Sequence, residues 1–236
     1  MKIFKIVRYF LMVCLYINAA LGGANRDSVL TWSSLFDADC QVINDSLKTI
    51  KFRDMRDKLK AGIWYEFLGV KMEDCEASHK GVELLEDYVK YDNDALVLAY
   101  LGMGYALIAN CEKNPFYKTL FSNKSIKIFH KAVKVSPDDW YIRFLRGRVL
   151  FEFPEFFNVE EVVKKDFAYL EKRVKELPPG VRVSLYYYRG EIEKQKGRIL
   201  KAMEYWENAV ELAEEKGLEN IEEYRKSKKR LRLFRD

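Results

Sequence analysis

Histidine, glutamine and proline are scarce in this chain, and each shortage removes a class of explanation. The only histidines are His79 and His130, and no HExxH or CxxC spacing occurs, so a metal centre built on imidazole would have those two alone. Cys75 and His79 stand one helical turn apart beside Glu73 and Asp74, an arrangement expected of a polar turn before a metal site. The four cysteines are widely spaced and outline no disulfide framework. One bridge is open to Cys40, Cys75 and Cys111, but small apolar core positions are the expected role. No glycine-rich phosphate loop, nucleophile elbow or serine-triad pattern is present. No catalytic residue, metal or cofactor is therefore assigned, and the chain is read as a non-enzyme.

With 12 Gly and 5 Pro in 236 residues and heavy use of Lys, Glu, Leu, Ala and Tyr, long helices suit the chain better than many short strands joined by tight turns. Gln41 and Gln195 are the only glutamines beside abundant Lys and Glu, a usage similar to heat-adapted proteins. The net charge of +5 is concentrated at the start. Lys2, Lys5 and Arg8 precede an apolar stretch from Tyr9 to Leu21 that is too short for an ordinary membrane span and is followed by small residues. Residues 1–24 are expected to be a signal peptide cleaved after Gly22 or Ala24, with an uncleaved anchor or a buried first helix as alternatives. The expected location is then outside the cytoplasm, periplasmic or extracellular. Without those three cations, 38 basic residues face 36 acidic ones. So balanced a surface offers no footprint for nucleic acid. The exception is Arg225, Lys226, Lys228, Lys229, Arg230, Arg232 and Arg235, which either complement the end of a last helix or touch anionic lipid or an acidic partner.

Periodicity divides the rest into helices. Phe36, Cys40, Ile43, Leu47 and Ile50 draw one apolar stripe, which predicts one or two helices in an N-terminal cap over residues 25–60. A pair follows over Ile63–Met72 and His79–Val89. The run LVLAYLGMGYALIAN, apolar on nearly all sides, requires a helix covered on both flanks. An insertion, NPFYKTLFSN, is expected before the helix SIKIFHKAVKV, and SPDDW predicts Ser136 as the next cap, with Asp138 and Asp139 in the first turn. Further helices are predicted over Trp140–Phe151, Glu160–Glu176, Val183–Lys196, Ile199–Lys216 and Glu219–Phe234, with breaks at FPEFFN, at Leu177-Pro178-Pro179-Gly180 and at Gly197.

Gly69, Gly102, Gly147 and Gly190 each fall in the first helix of a pair, at separations of 33, 45 and 43 residues. The shortest interval is that of a helix-turn-helix repeat of about 34 residues. Leu98, Leu101, Gly102, Tyr105, Ser125, Phe129, Ala132 and Pro137 match the signature positions of one unit, and Tyr186, Gly190, Ala202, Trp206 and Ala209 match part of the last. On these residues the chain resembles the tetratricopeptide repeat family over residues 61–215, with exported bacterial members in which similar insertions separate the two helices. The resemblance implies an all-α fold, a right-handed superhelix of antiparallel helix pairs over residues 61–236, closed by N- and C-terminal capping helices.

In that family the first helices line a ligand groove. The resemblance thus implies partner contacts at Met103, Ala106 and Leu107, at Tyr141, Phe144, Arg148, Phe151 and Glu152, and at Tyr187, Glu191 and Lys194, with packing between repeats as the other reading of each. Phe116, Tyr117 and Phe121, with Phe153, Phe156 and Phe157, lie at matching points of successive insertions and form a second candidate surface unless they fold back over the array. The function expected is a scaffold that holds a protein or peptide partner, and the alternative is a carrier enclosing a small apolar ligand. No oligomeric state is read from these features.

Overall fold

The computed structural model describes residues 40–235, and the expected signal peptide and the first part of the cap lie outside them. Among these residues ten α-helices run in order: α1 Cys40–Thr49, α2 Met55–Met72, α3 Cys75–Tyr91, α4 Ala95–Cys111, α5 Pro115–Val135, α6 Trp140–Phe151, α7 Glu160–Glu171, α8 Pro179–Gln195, α9 Ile199–Lys216 and α10 Glu222–Arg235. No strand occurs among the described residues. The all-α expectation holds, and so does the antiparallel pairing: α2 packs on α3, α4 on α5, and α8 on α9. Among the described residues, two compact units are formed, residues 40–163 and residues 164–235.

Local chemistry sets the helix starts. Asp54, Asp74, Asp94 and Asp139 are N-caps whose carboxylates accept from backbone amides of the first turn, as in Asp74 to Glu76 and Ala77 at 2.9 and 3.1 Å. Each satisfies donors that the helix itself leaves free. Two sequence readings are corrected here. Asp139, not Ser136, caps α6, while Ser136 closes α5. The expected insertion is not a separate segment: Asn114 caps and Pro115 opens a single 21-residue helix, so NPFYKTLFSN is its cap and first turns. Proline at a first helical position costs no intrahelical hydrogen bond, and it opens α8 at Pro179 as well, ahead of the predicted Val183. Asp54 likewise starts α2 at Met55, so the residue-60 boundary between cap and repeats falls inside a helix. The predicted turn at Gly197 is present with φ of 74°.

In the first unit, Gly102 seats α5 against α4. A Cβ there would lie 3.0 Å from the buried ring of Phe129, and Ser125 Oγ donates to the Gly102 carbonyl at 2.7 Å. Burying a ring of that size is worth about 2–3 kcal/mol. In the second unit Gly190 does the same for the fully buried Trp206, and Phe167 stacks on Tyr188 at 5.4 Å.

The cysteines depart from expectation. Cys75, at the start of α3, and Cys111, at the end of α4, are joined by a disulfide across a Cα–Cα distance of 5.7 Å, so neither is a free core residue or a ligand beside His79.

Candidate functional site

The α3, α4 and α5 surfaces enclose a cleft of about 530 Å³ in the first unit. From α3 come Glu76, His79, Lys80, Val82, Glu83 and Glu86; from α4, Tyr105 and Ile108; from α5, Phe121 and Lys124. Helical spacing explains the set, because Glu76, Lys80 and Glu83 recur on one face of α3, and Phe121 and Lys124 are one turn apart on α5. The apolar part is a ring cluster. Tyr105 and Phe121 are stacked with centroids 6.2 Å apart, and His79 meets Phe121 edge-on at 6.1 Å. The Lys124 ammonium lies 4.9 Å from the Tyr105 ring centre, 5.4 Å from that of Phe121 and 4.0 Å from Glu86 Oε1. Tyr105 donates its hydroxyl proton to Glu86. Burial, and then that hydrogen bond to a carboxylate, hold the Tyr105 phenol well above its ordinary range, so it stays a donor.

Next to the cleft, the first turns of α5 carry an apolar strip. Phe116, Tyr117 and Leu120 are 70%, 48% and 40% exposed, and the i, i+3 and i, i+4 steps from Tyr117 lead to Leu120 and Phe121. This part of the second candidate surface faces outward. In the other insertion, a 3₁₀ turn over Glu155–Phe157 packs Phe157 against Phe153 and Phe156 at 5.5 and 4.4 Å, leaving Phe156 exposed.

The groove positions implied by the repeat resemblance fare differently. Met103, Leu107, Tyr141, Phe144 and Arg148 are all buried, and Phe151 is half-buried; α4 packs against α6. In the second unit Tyr187 and Glu191 are buried too, and the chain's own last helix occupies them. Lys226 of α10 lies over the Tyr187 ring at 5.5 Å, and Arg230 holds both Glu191 carboxylate oxygens at 2.8 and 2.9 Å, with Lys194 at 3.8 Å from the same group. Several cations of the basic terminus are thereby engaged within the unit, since Lys226 also pairs with Glu222 at 3.3 Å and Lys228 with Glu214 at 3.3 Å. Sequence reading missed the cleft because it took α3 for a plain amphipathic helix; the signal was the recurrence of Glu76, Lys80, Glu83 and Glu86 opposite an aromatic insertion.

Among the described residues no group of three or more His, Cys, Asp or Glu side chains is placed to hold a metal ion, and no helix is long and apolar enough to cross a membrane.

No family model matches the chain, and no curated protein matches it. Among solved structures it is similar to a crystal structure of MamA, with 17% identity over 75% of this chain and 88% of that one and a TM-score of 0.44.

Proposed function

We propose that this chain is an exported, tetratricopeptide-like interaction scaffold that receives a segment of a partner polypeptide on the α5 strip and in the adjoining cleft. The observation that carries this reading is the exposed run Phe116, Tyr117 and Leu120 leading into the rings of Phe121 and Tyr105. Outward-facing aromatic residues beside a preformed concavity are the usual anchors of a protein contact. The Cys75–Cys111 bridge supports the exported location, because such bonds persist in oxidising compartments and are rare in the cytosol. An apolar-ligand carrier has less support: five of the ten residues lining the cleft are Glu or Lys.

Site-specific photocrosslinking tests the assignment. A benzoylphenylalanine introduced at Tyr117 of the tagged, exported chain should trap a defined polypeptide in vivo. The same label at Leu200, which is 85% exposed, should not. Equal crosslinking from both positions, or none from Tyr117, would refute the docking face. The intact mass of the exported chain tests the leader, and a start at or beyond residue 23 is expected.

A further inference from the structure

The charges around the cleft are not evenly committed. Lys80 points to the ring of Tyr65, with its ammonium 5.0 Å from the centroid. Lys124 lies over Tyr105 and Phe121 and close to Glu86, which also accepts the Tyr105 hydroxyl. Both cations thus have an intramolecular partner. The side chains of Glu76 and Glu83, two turns apart on α3 and both exposed, have none among the described residues. The free charge of the cleft is therefore negative, and its ring faces are already shown to accept an ammonium group.

Resting on the docking reading above, we propose that the cleft takes a cationic side chain of the partner segment, which displaces Lys124 from the faces of Tyr105 and Phe121 and pairs with Glu83 and Glu76. Lys124 is a placeholder that can leave. Its side chain is 45% exposed, and a cation–π contact at so open a site is worth only about 0.5–1 kcal/mol. Its long stem lets the ammonium swing into water without moving α5. An incoming lysine or arginine gains the same ring contact and, in addition, two carboxylates that have no side-chain partner among the described residues. An anionic side chain would instead meet Glu76, Glu83 and Glu86, which outnumber Lys80 and Lys124 among the lining residues. The neighbouring Phe116, Tyr117 and Leu120 require apolar residues beside that cation. The partner is thus a polypeptide segment of alternating basic and apolar character.

Fluorescence anisotropy with two blocked, labelled decapeptides tests the inference, one repeating leucine-lysine-alanine and the other leucine-glutamate-alanine. The lysine peptide should bind more tightly, and more weakly as salt screens the carboxylates. Glu76→Lys with Glu83→Lys should weaken it about tenfold, since two exposed attractions become repulsions. Lys124→Met should tighten it by about threefold, because the rings no longer have to be vacated. All three sites are exposed, and circular dichroism checks that the variants fold. The inference is overturned if the glutamate peptide binds as well as the lysine peptide, or if Lys124→Met weakens the lysine peptide. Phe121→Ala separates the two levels of argument. If it abolishes binding of a favoured glutamate peptide, the docking face stands and the cationic partner falls; if neither peptide binds, or binding ignores Phe121→Ala, both fall.

Discussion

Reduction of the Cys75–Cys111 bridge should loosen the first unit by a calculable amount. The bond closes a loop of sequence separation 36, and the loss of loop-closure entropy in the unfolded chain then corresponds to about 4 kcal/mol at 25 °C. Measured values usually fall short of that limit, so a loss of about 2–4 kcal/mol is expected for the Cys75→Ser, Cys111→Ser double variant, or about 10 °C in Tm. The location sharpens the prediction. Cys75 begins α3 and Cys111 ends α4, so the bridge ties one end of the α3–α4 seam that forms the cleft. Alkylation followed by intact mass should count two more modified thiols after reduction than before. Urea unfolding followed by circular dichroism, with and without reductant, should show the loss in the wild type and no reductant effect in the double variant. Full alkylation without reductant, or a reduced wild type as stable as the oxidised one, would refute the reasoning and remove the support for export that rests on this bond.

Three further perturbations follow from individual residues. Glu66 is fully buried between α2, α3 and α4, both its oxygens lack hydrogen-bond partners among the described residues, and burial pushes its carboxyl well above the ordinary range. A carboxyl raised in this way stabilises fully below its unfolded pKa. Wild-type stability should therefore fall as pH rises from the ordinary carboxylate range toward the raised value, by about 1.4 kcal/mol per pH unit, whereas Glu66→Gln should stay level; parallel stability curves for the two proteins would contradict this. Gly190→Ala would drive a Cβ into the indole of Trp206 and should destabilise the second unit by about 1–3 kcal/mol in chemical denaturation, and an unchanged midpoint would mean that the helices separate easily. Glu73 closes α2 in the left-handed region with φ of 56°, and its charge sits at the negative end of the helix. Glu73→Gly should raise stability by about 1 kcal/mol, and a lower Tm would refute the strain.

How much was legible depended on how far apart in the chain the determining residues lie. Helix α4 was read from LVLAYLGMGYALIAN and the turn at Gly197 from its glycine, both from signals local to a few turns. Local signals also misled where two devices competed. Ser136-Pro137 is a good helix start by composition, but Asp139 offers a carboxylate at the position where the amides of Tyr141 and Ile142 need an acceptor. NPFYKTLFSN looked like an insertion because it breaks the repeat length, yet asparagine followed by proline is itself a helix opening, and the length was absorbed into α5.

Composition and periodicity by themselves determined that the chain is all-helical, that its helices pair, and where most of them end, because amphipathic spacing acts over a few residues, whereas several helices begin earlier than their apolar stripes. Tertiary structure alone decided which cysteines meet, since Cys75 and Cys111 are brought within bonding distance only by the antiparallel α3–α4 arrangement. It also decided that Tyr187 and Glu191 lie under α10 and that Glu86, Tyr105 and Lys124 from three helices converge on one cleft. An aromatic or charged residue at helical spacing marks a face of its helix; whether that face meets solvent, a partner or another helix of the same chain is settled by what packs against it.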